Sequence, residues 1–114
     1  MSDRVVRQVV LEACGDPEAA RAALAELVGH TRQEPGALLF AVHEFAEQPG
    51  RFVLWEDFVD RTAFDAHMAK DYTRAFFARR IVQPVSGEDL TPLVQAPLRK
   101  PAYRSDRTGS RDQV

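Results

Sequence analysis

The first apolar alternation runs from Val5 to Ala13, in VVRQVVLEA, and its β-branched residues predict a strand. One face shows Val5, Arg7, Val9, Leu11 and Ala13; the other shows Val6, Gln8, Val10, Glu12 and Cys14. The period then changes. Asp16-Pro17-Glu18 reads as a helix start, with Asp16 as the cap, Pro17 in the first turn and Glu18 at the positive end of the dipole. Ala20, Ala23, Leu24, Leu27 and Val28 follow at helical spacing. Glu34-Pro35-Gly36 ends this helix, because a residue before proline disfavours the helical backbone and Gly36 permits a turn.

Residues 37–46 (ALLFAVHEFA) predict a second strand, with Leu38, Phe40, Val42 and Glu44 on one side and Leu39, Ala41, His43 and Phe45 on the other. After the turn Glu47-Gln48-Pro49-Gly50 comes a third strand, Arg51 to Phe58, so these two form an antiparallel hairpin. Phe52, Leu54, Glu56 and Phe58 share one face; Val53, Trp55 and Asp57 share the other. Asp60 caps a second helix whose apolar side carries Phe64, His67, Met68 and Tyr72. A break is expected at Asp71 to Thr73, then a short helix from Thr73 to Arg80 bearing Phe76 and Phe77. Pro84 and Gly87 make the stretch Ile81 to Val94 read as a loop leading into a final strand near Asp89 to Val94. From Gln95 onward apolar residues thin out and Pro, Arg, Ser and Gly accumulate, which predicts a tail. The expected division is therefore one domain over residues 1–94 and a mobile C-terminal segment over 95–114.

Strand, helix, strand, strand, helix, strand is the split βαβ order of a ferredoxin-like α+β fold, with both helices on one face of an antiparallel sheet. The central strands are apolar on both faces, whereas a sheet wetted on one side alternates with polar residues. The uncovered face predicts a homodimer closed through sheet faces, since a monomer rarely exposes so large an apolar patch.

Composition narrows the chemistry. The chain has 114 residues, 45% hydrophobic and 28% charged, with a net charge of −2. That is the balance of one soluble globular domain, with no electrostatic reason for a nucleic acid or membrane partner. The single cysteine, Cys14, excludes an internal disulfide, reads as a small buried packer rather than a nucleophile, and suits a reducing cytoplasm. The N-terminus shows no signal-peptide pattern, and no apolar run reaches the roughly 20 residues a bilayer needs. His30, His43 and His67 stand on three separate elements, so no metal site is expected. Nor does any motif imply a nucleotide or a nucleophilic triad.

The segments EPGALLFAVHEF and PGRFVLWEDFVDRTAFDAHMAKDYTRAFF resemble the antibiotic biosynthesis monooxygenase family. The likeness lies in Glu34-Pro35-Gly36, Glu56, Phe58, Asp60, Phe64 and His67, and covers roughly Val5 to Val94. It departs from the family pattern where Phe58 replaces a common Trp and Tyr72 replaces a second His. With no His after His67, haem oxygenation is not expected. The resemblance implies a dimeric α+β barrel and, in some members, oxygenation of quinols or polycyclic phenols without a cofactor, the substrate itself reducing dioxygen. It offers His67 as the base, with Glu56 beside it and Tyr72 orienting a substrate oxygen. Phe40, Phe58, Phe64 and Phe76 would wall a pocket for a small aromatic or hydrophobic ligand. Two alternatives stay open: a non-catalytic dimeric ligand-binding or stress module, and a polyketide cyclase or isomerase. In the structural reading of the pair, His67 is hydrogen-bonded to Glu56 and holds the helix against the sheet, and the phenylalanines are simply core.

Overall fold

The computed structural model describes residues 3–93. Seven elements follow in order: β1 (Val5–Ala13), α1 (Pro17–Thr31), β2 (Ala37–Glu44), β3 (Arg51–Phe58), α2 (Arg61–Ala69), α3 (Asp71–Ala78) and β4 (Val82–Leu90). The four strands form one antiparallel sheet in the order β2-β3-β1-β4, the ferredoxin-like arrangement. The expected tail, 95–114, lies outside the described residues.

Local chemistry explains most boundaries. Asp16 accepts a hydrogen bond from the Glu18 amide at 3.1 Å and Pro17 opens α1. The buried stripe of α1 is Ala20, Ala23, Leu24, Leu27 and Thr31. Gly50, at φ 87°, occupies the left-handed region in the β2–β3 turn, where glycine carries no Cβ penalty. Glu44 accepts from its amide at 2.8 Å while receiving Arg21 of α1 at 2.7 and 3.0 Å, which ties the helix to the hairpin end. Asp60 caps α2 through the Ala63 amide at 2.8 Å.

The core lies between the helices and one sheet face. Leu11, Leu24, Leu27, Phe40, Phe52, Leu54, Phe58 and Phe76 are all at or below 4% exposure. Each such side chain contributes roughly 1.5–3 kcal/mol on burial. The surface ion pairs contribute roughly 0–1 kcal/mol each, so the core dominates.

Several expectations need correction. β4 spans Val82–Leu90, not Asp89 to Val94. Proline and glycine suggested a loop, but among the described residues β4 is an edge strand paired only with β1. An edge tolerates the missing amide of Pro84, which sits at the register shift between Val10 and Leu11. The helix break falls at Lys70, whose extended backbone (φ −65°, ψ 145°) ends α2 and starts α3, rather than at Asp71 to Thr73. β2 stops at Glu44 instead of Ala46, because the amide of Phe45 already bonds across the turn to Arg51. An irregularity between Ala37 and Leu39 takes Leu38 out of the core alternation, and it is 36% exposed. Cys14 is exposed, not packed, since it lies just beyond the end of β1. Met68 is likewise 41% exposed rather than on the buried side of α2.

The register places Leu39, Ala41 and His43 of β2 beside Asp57, Trp55 and Val53 of β3 on the face away from the core. Val6 and Val10 of β1 continue this face, with Gln8 between them. Leu39 is 47% exposed there.

Candidate functional site

β3 delivers Glu56 and Phe58 to the helix-facing side of the sheet, and the Asp60 cap turns the chain so that α2 returns across them. Phe64 and His67, three residues apart on α2, then share the inward face. The His67 ring lies 5.2 Å from Phe40 and 5.1 Å from Phe58, centroid to centroid, and the residue is 2% exposed. Phe64 packs edge-on to Phe58 at 5.7 Å.

His67 is not bonded to Glu56. Its Nδ1 stands 3.0 Å from Glu34 Oε2. A carboxylate acceptor requires Nδ1 to carry the proton. The Tyr72 hydroxyl donates to the same oxygen. One carboxylate, itself 8% exposed, thus joins the turn after α1 to α2 and α3. The Tyr72 phenol is held well above its ordinary range, first by burial and then by the bond to Glu34 and its negative charge. Its ring stacks on His30 at 4.8 Å. These contacts explain the Glu-Pro-Gly triplet physically. Glu34 supplies the shared acceptor, Pro35 ends the helical path, and Gly36 lets α2 approach, since a Cβ there would collide with Ala63 Cβ. Glu34 was legible only as part of a turn; that it follows a helix by three residues was no signal of a bridging role.

Glu56 differs in kind. It is 7% exposed, and among the described residues its carboxylate takes part in no hydrogen bond. Burial pushes its carboxyl up to about 7, opposed by the positive charge of Arg7 on the neighbouring strand. Arg7 Nη1 reaches Asp89 Oδ1 of β4 at 2.8 Å, and its guanidinium lies 5.9 Å from the Phe64 ring. Arg61 lies 5.2 Å from the same ring. Arg7 was missed in the sequence reading, although a lone charge among Val5, Val9 and Leu11 on the core-facing side of β1 was a usable signal.

The fold therefore brings Glu56, Phe58, Phe64, His67 and Phe40 to one neighbourhood. Tyr72 joins it only through Glu34. Phe76, 4% exposed, packs edge-on to Phe77 at 5.2 Å and belongs to the core. Among the described residues no group of three or more His, Cys, Asp or Glu side chains is placed to hold a metal ion, and no helix is long and apolar enough to cross a membrane.

Comparison with known proteins places this geometry. A family model described as "Antibiotic biosynthesis monooxygenase" matches residues 13–79. Protein SO0527 from Shewanella oneidensis is 30% identical, with TM-score 0.68, covering 79% of this chain and 89% of that one. Rv0793 from Mycobacterium tuberculosis is 28% identical, with TM-score 0.72 over 82% of this chain and 99% of that one. SnoaB from Streptomyces nogalater, a cofactor-independent oxygenase, has TM-score 0.73 over 84% of this chain and 99% of its own, but at 15% identity this is a likeness of fold alone. A search of curated protein sequences found no match.

Proposed function

The chain belongs to the antibiotic biosynthesis monooxygenase family, and from that premise we propose that it oxygenates a phenolic or quinol-type polycycle with dioxygen and no cofactor, using Glu56 as the base. The observation that carries this reading is Glu56 itself: a carboxylate buried beside aromatic rings, bonded to no described residue, with its carboxyl pushed up to about 7. A general base works best when its pKa lies near the working pH. His67, held through Nδ1 by Glu34 and covered by Phe40 and Phe58, is assigned the role of positioning α2 and the aromatic wall.

The chemistry closes without an external reductant. Ionised Glu56 takes the O–H proton from the phenolic tautomer of a substrate with an adjacent oxidisable ring carbon. The phenolate passes one electron to dioxygen. The resulting radical pair combines at that carbon, forming a C–O bond and a peroxide that takes the proton back from Glu56. The carbon still bears hydrogen, so loss of water breaks the O–O bond and leaves a carbonyl. One oxygen atom enters product, the other enters water, and all four electrons that reduce dioxygen come from the substrate. Phe64 and its neighbours supply the apolar wall such a substrate needs.

The same reading includes a two-fold dimer closed over Leu39, Ala41, Val53 and Trp55 on the outer sheet face. A second reading, a non-catalytic ligand-binding module, is favoured by one fact: both His67 and Tyr72 spend a polar atom on Glu34. Oxygen consumption with a panel of anthrones and hydroquinones separates the two, with labelled dioxygen followed into product. Uptake with one labelled oxygen per product supports the oxygenase. Background uptake across the whole panel supports the binding module.

A further inference from the structure

A second feature on the helix side lies away from Glu56. Between the α2–α3 pair and the start of β4 runs an open groove of about 780 Å³, walled by Met68 and Phe77 and floored by Val82 and Pro84. Met68 and Phe77 are 41% and 43% exposed, so two large apolar side chains face water there. Arg74 and Arg80 complete the lining. Arg4, Arg7, Arg21, Arg51, Arg61 and Arg79 each have a carboxylate partner. Among the described residues Arg32, Arg74 and Arg80 have none, and of these three Arg74 and Arg80 line the groove. Arg80 also takes a left-handed backbone, φ 54°, alone among the described non-glycine residues. A glycine would adopt that conformation at no steric cost, yet the position carries a guanidinium at the rim.

We infer that this groove binds the acidic end of an aromatic ligand, its rings against Met68, Phe77 and Pro84 and its carboxylate or sulfonate between Arg74 and Arg80. Apolar walls alone would accept a neutral polycycle; two uncompensated guanidinia select an anion, which arginine binds with directed, charge-assisted hydrogen bonds. Residues 94–114 are a poor alternative occupant, since they carry Arg99, Lys100, Arg104, Arg107 and Arg111 against Asp106 and Asp112. The groove also shares its sheet face with Glu56. Pro84 pairs with Leu11, and Arg7 pairs with Glu56 on the same side of β1. Leu11 stands four positions along the strand from Arg7, about 13 Å along the sheet. The inference deepens the function proposed above, and rests on it, only in naming the ligand as substrate: a phenolic polycycle that also carries an acidic group rather than a neutral one.

The test uses two dyes of one skeleton, anilinonaphthalene sulfonate and the uncharged phenyl naphthylamine, titrated by fluorescence into the full-length protein. Cys14, exposed at the groove and the chain's sole cysteine, reports occupancy through its rate of reaction with a neutral maleimide. The sulfonate is expected to bind more tightly than the neutral dye and to slow the maleimide at saturation. The variants Arg74→Gln and Arg80→Gly, the second suited to its backbone, are each expected to weaken the sulfonate about tenfold, the worth of one charge-assisted hydrogen bond, and to leave the neutral dye unchanged. Equal binding of the two dyes, no change in sulfonate affinity in the variants, or unaltered Cys14 reactivity at saturation would overturn the inference. Because the readout is binding, absence of oxygen uptake with these results intact would refute the oxygenase and not the groove.

Discussion

His67 Nδ1 and Glu34 Oε2 meet at 3.0 Å across the junction between α2 and the turn that follows α1. With Tyr72 donating to the same oxygen, this carboxylate organises three separate elements. Glu34→Ala would leave the buried imidazole N–H without its acceptor and the Tyr72 phenol with only the long 3.5 Å bond to the His30 carbonyl. Each such group costs about 1–3 kcal/mol, so a loss of about 3 kcal/mol is expected in chemical denaturation. Glu34→Ala and His67→Ala should be strongly non-additive in a double-mutant cycle. Additive losses would mean that the contact contributes nothing to holding α2.

Gly36 is expected to be intolerant of alanine for a steric reason, because the added Cβ meets Ala63 Cβ. Overpacking of this kind costs about 1–3 kcal/mol. Gly36→Ala should lower the melting temperature, and Ala63→Gly in the same chain should recover part of that loss. If Gly36→Ala melts like the parent, α2 does not pack as closely as described.

Glu56 sets a pH dependence of stability whose sign follows from its environment. Its folded pKa, about 7, lies above the ordinary 4.5, so between these values the folded state binds more proton than the unfolded one. Stability attributable to this group therefore falls as pH rises from about 4.5 to about 7 and is constant beyond. The separation corresponds to about 3 kcal/mol. Glu56→Gln should accordingly be more stable than the parent at pH 8, by an amount of that order, and should flatten the curve in this window. A variant less stable at every pH would show that the carboxylate is favourably paired when charged.

Much of this arrangement was legible in the chain, and the failures have identifiable causes. Alternation in β1 and β3, the Asp16 and Asp60 caps and the stripe of α1 depend on neighbours in sequence, and they emerged where expected. β4 was displaced because proline and glycine were read as interior breakers, whereas tolerance of Pro84 depends on the strand lying at an edge. His67 was recognisable as an inward histidine, but its partner, Glu34, is 33 residues away, whereas Glu56 lies nearer along the chain. Periodicity ranks residues by face; it does not choose among carboxylates that the fold brings to that face. The raised carboxyl of Glu56 was equally invisible, since it arises from tertiary burial.

The outer face of the sheet carries its own expectation. At micromolar concentration the protein should sediment as a dimer, and Leu39→Glu, placing charge on a residue 47% exposed in one chain, should shift it to monomer without loss of helix content. A parent that sediments as a monomer would contradict a dimer through this face.

The central claim, that Glu56 is the base for oxygenation, is tested most directly by the pH dependence of the initial oxygen-uptake rate in the parent and in folded Glu56→Gln. The parent rate should rise with pH through an apparent pKa near 7, as the carboxyl ionises. The variant should lose about two to four orders of magnitude, the usual contribution of a general base, together with that acid limb. A folded Glu56→Gln that consumes oxygen at the parental rate with the same profile would contradict the account.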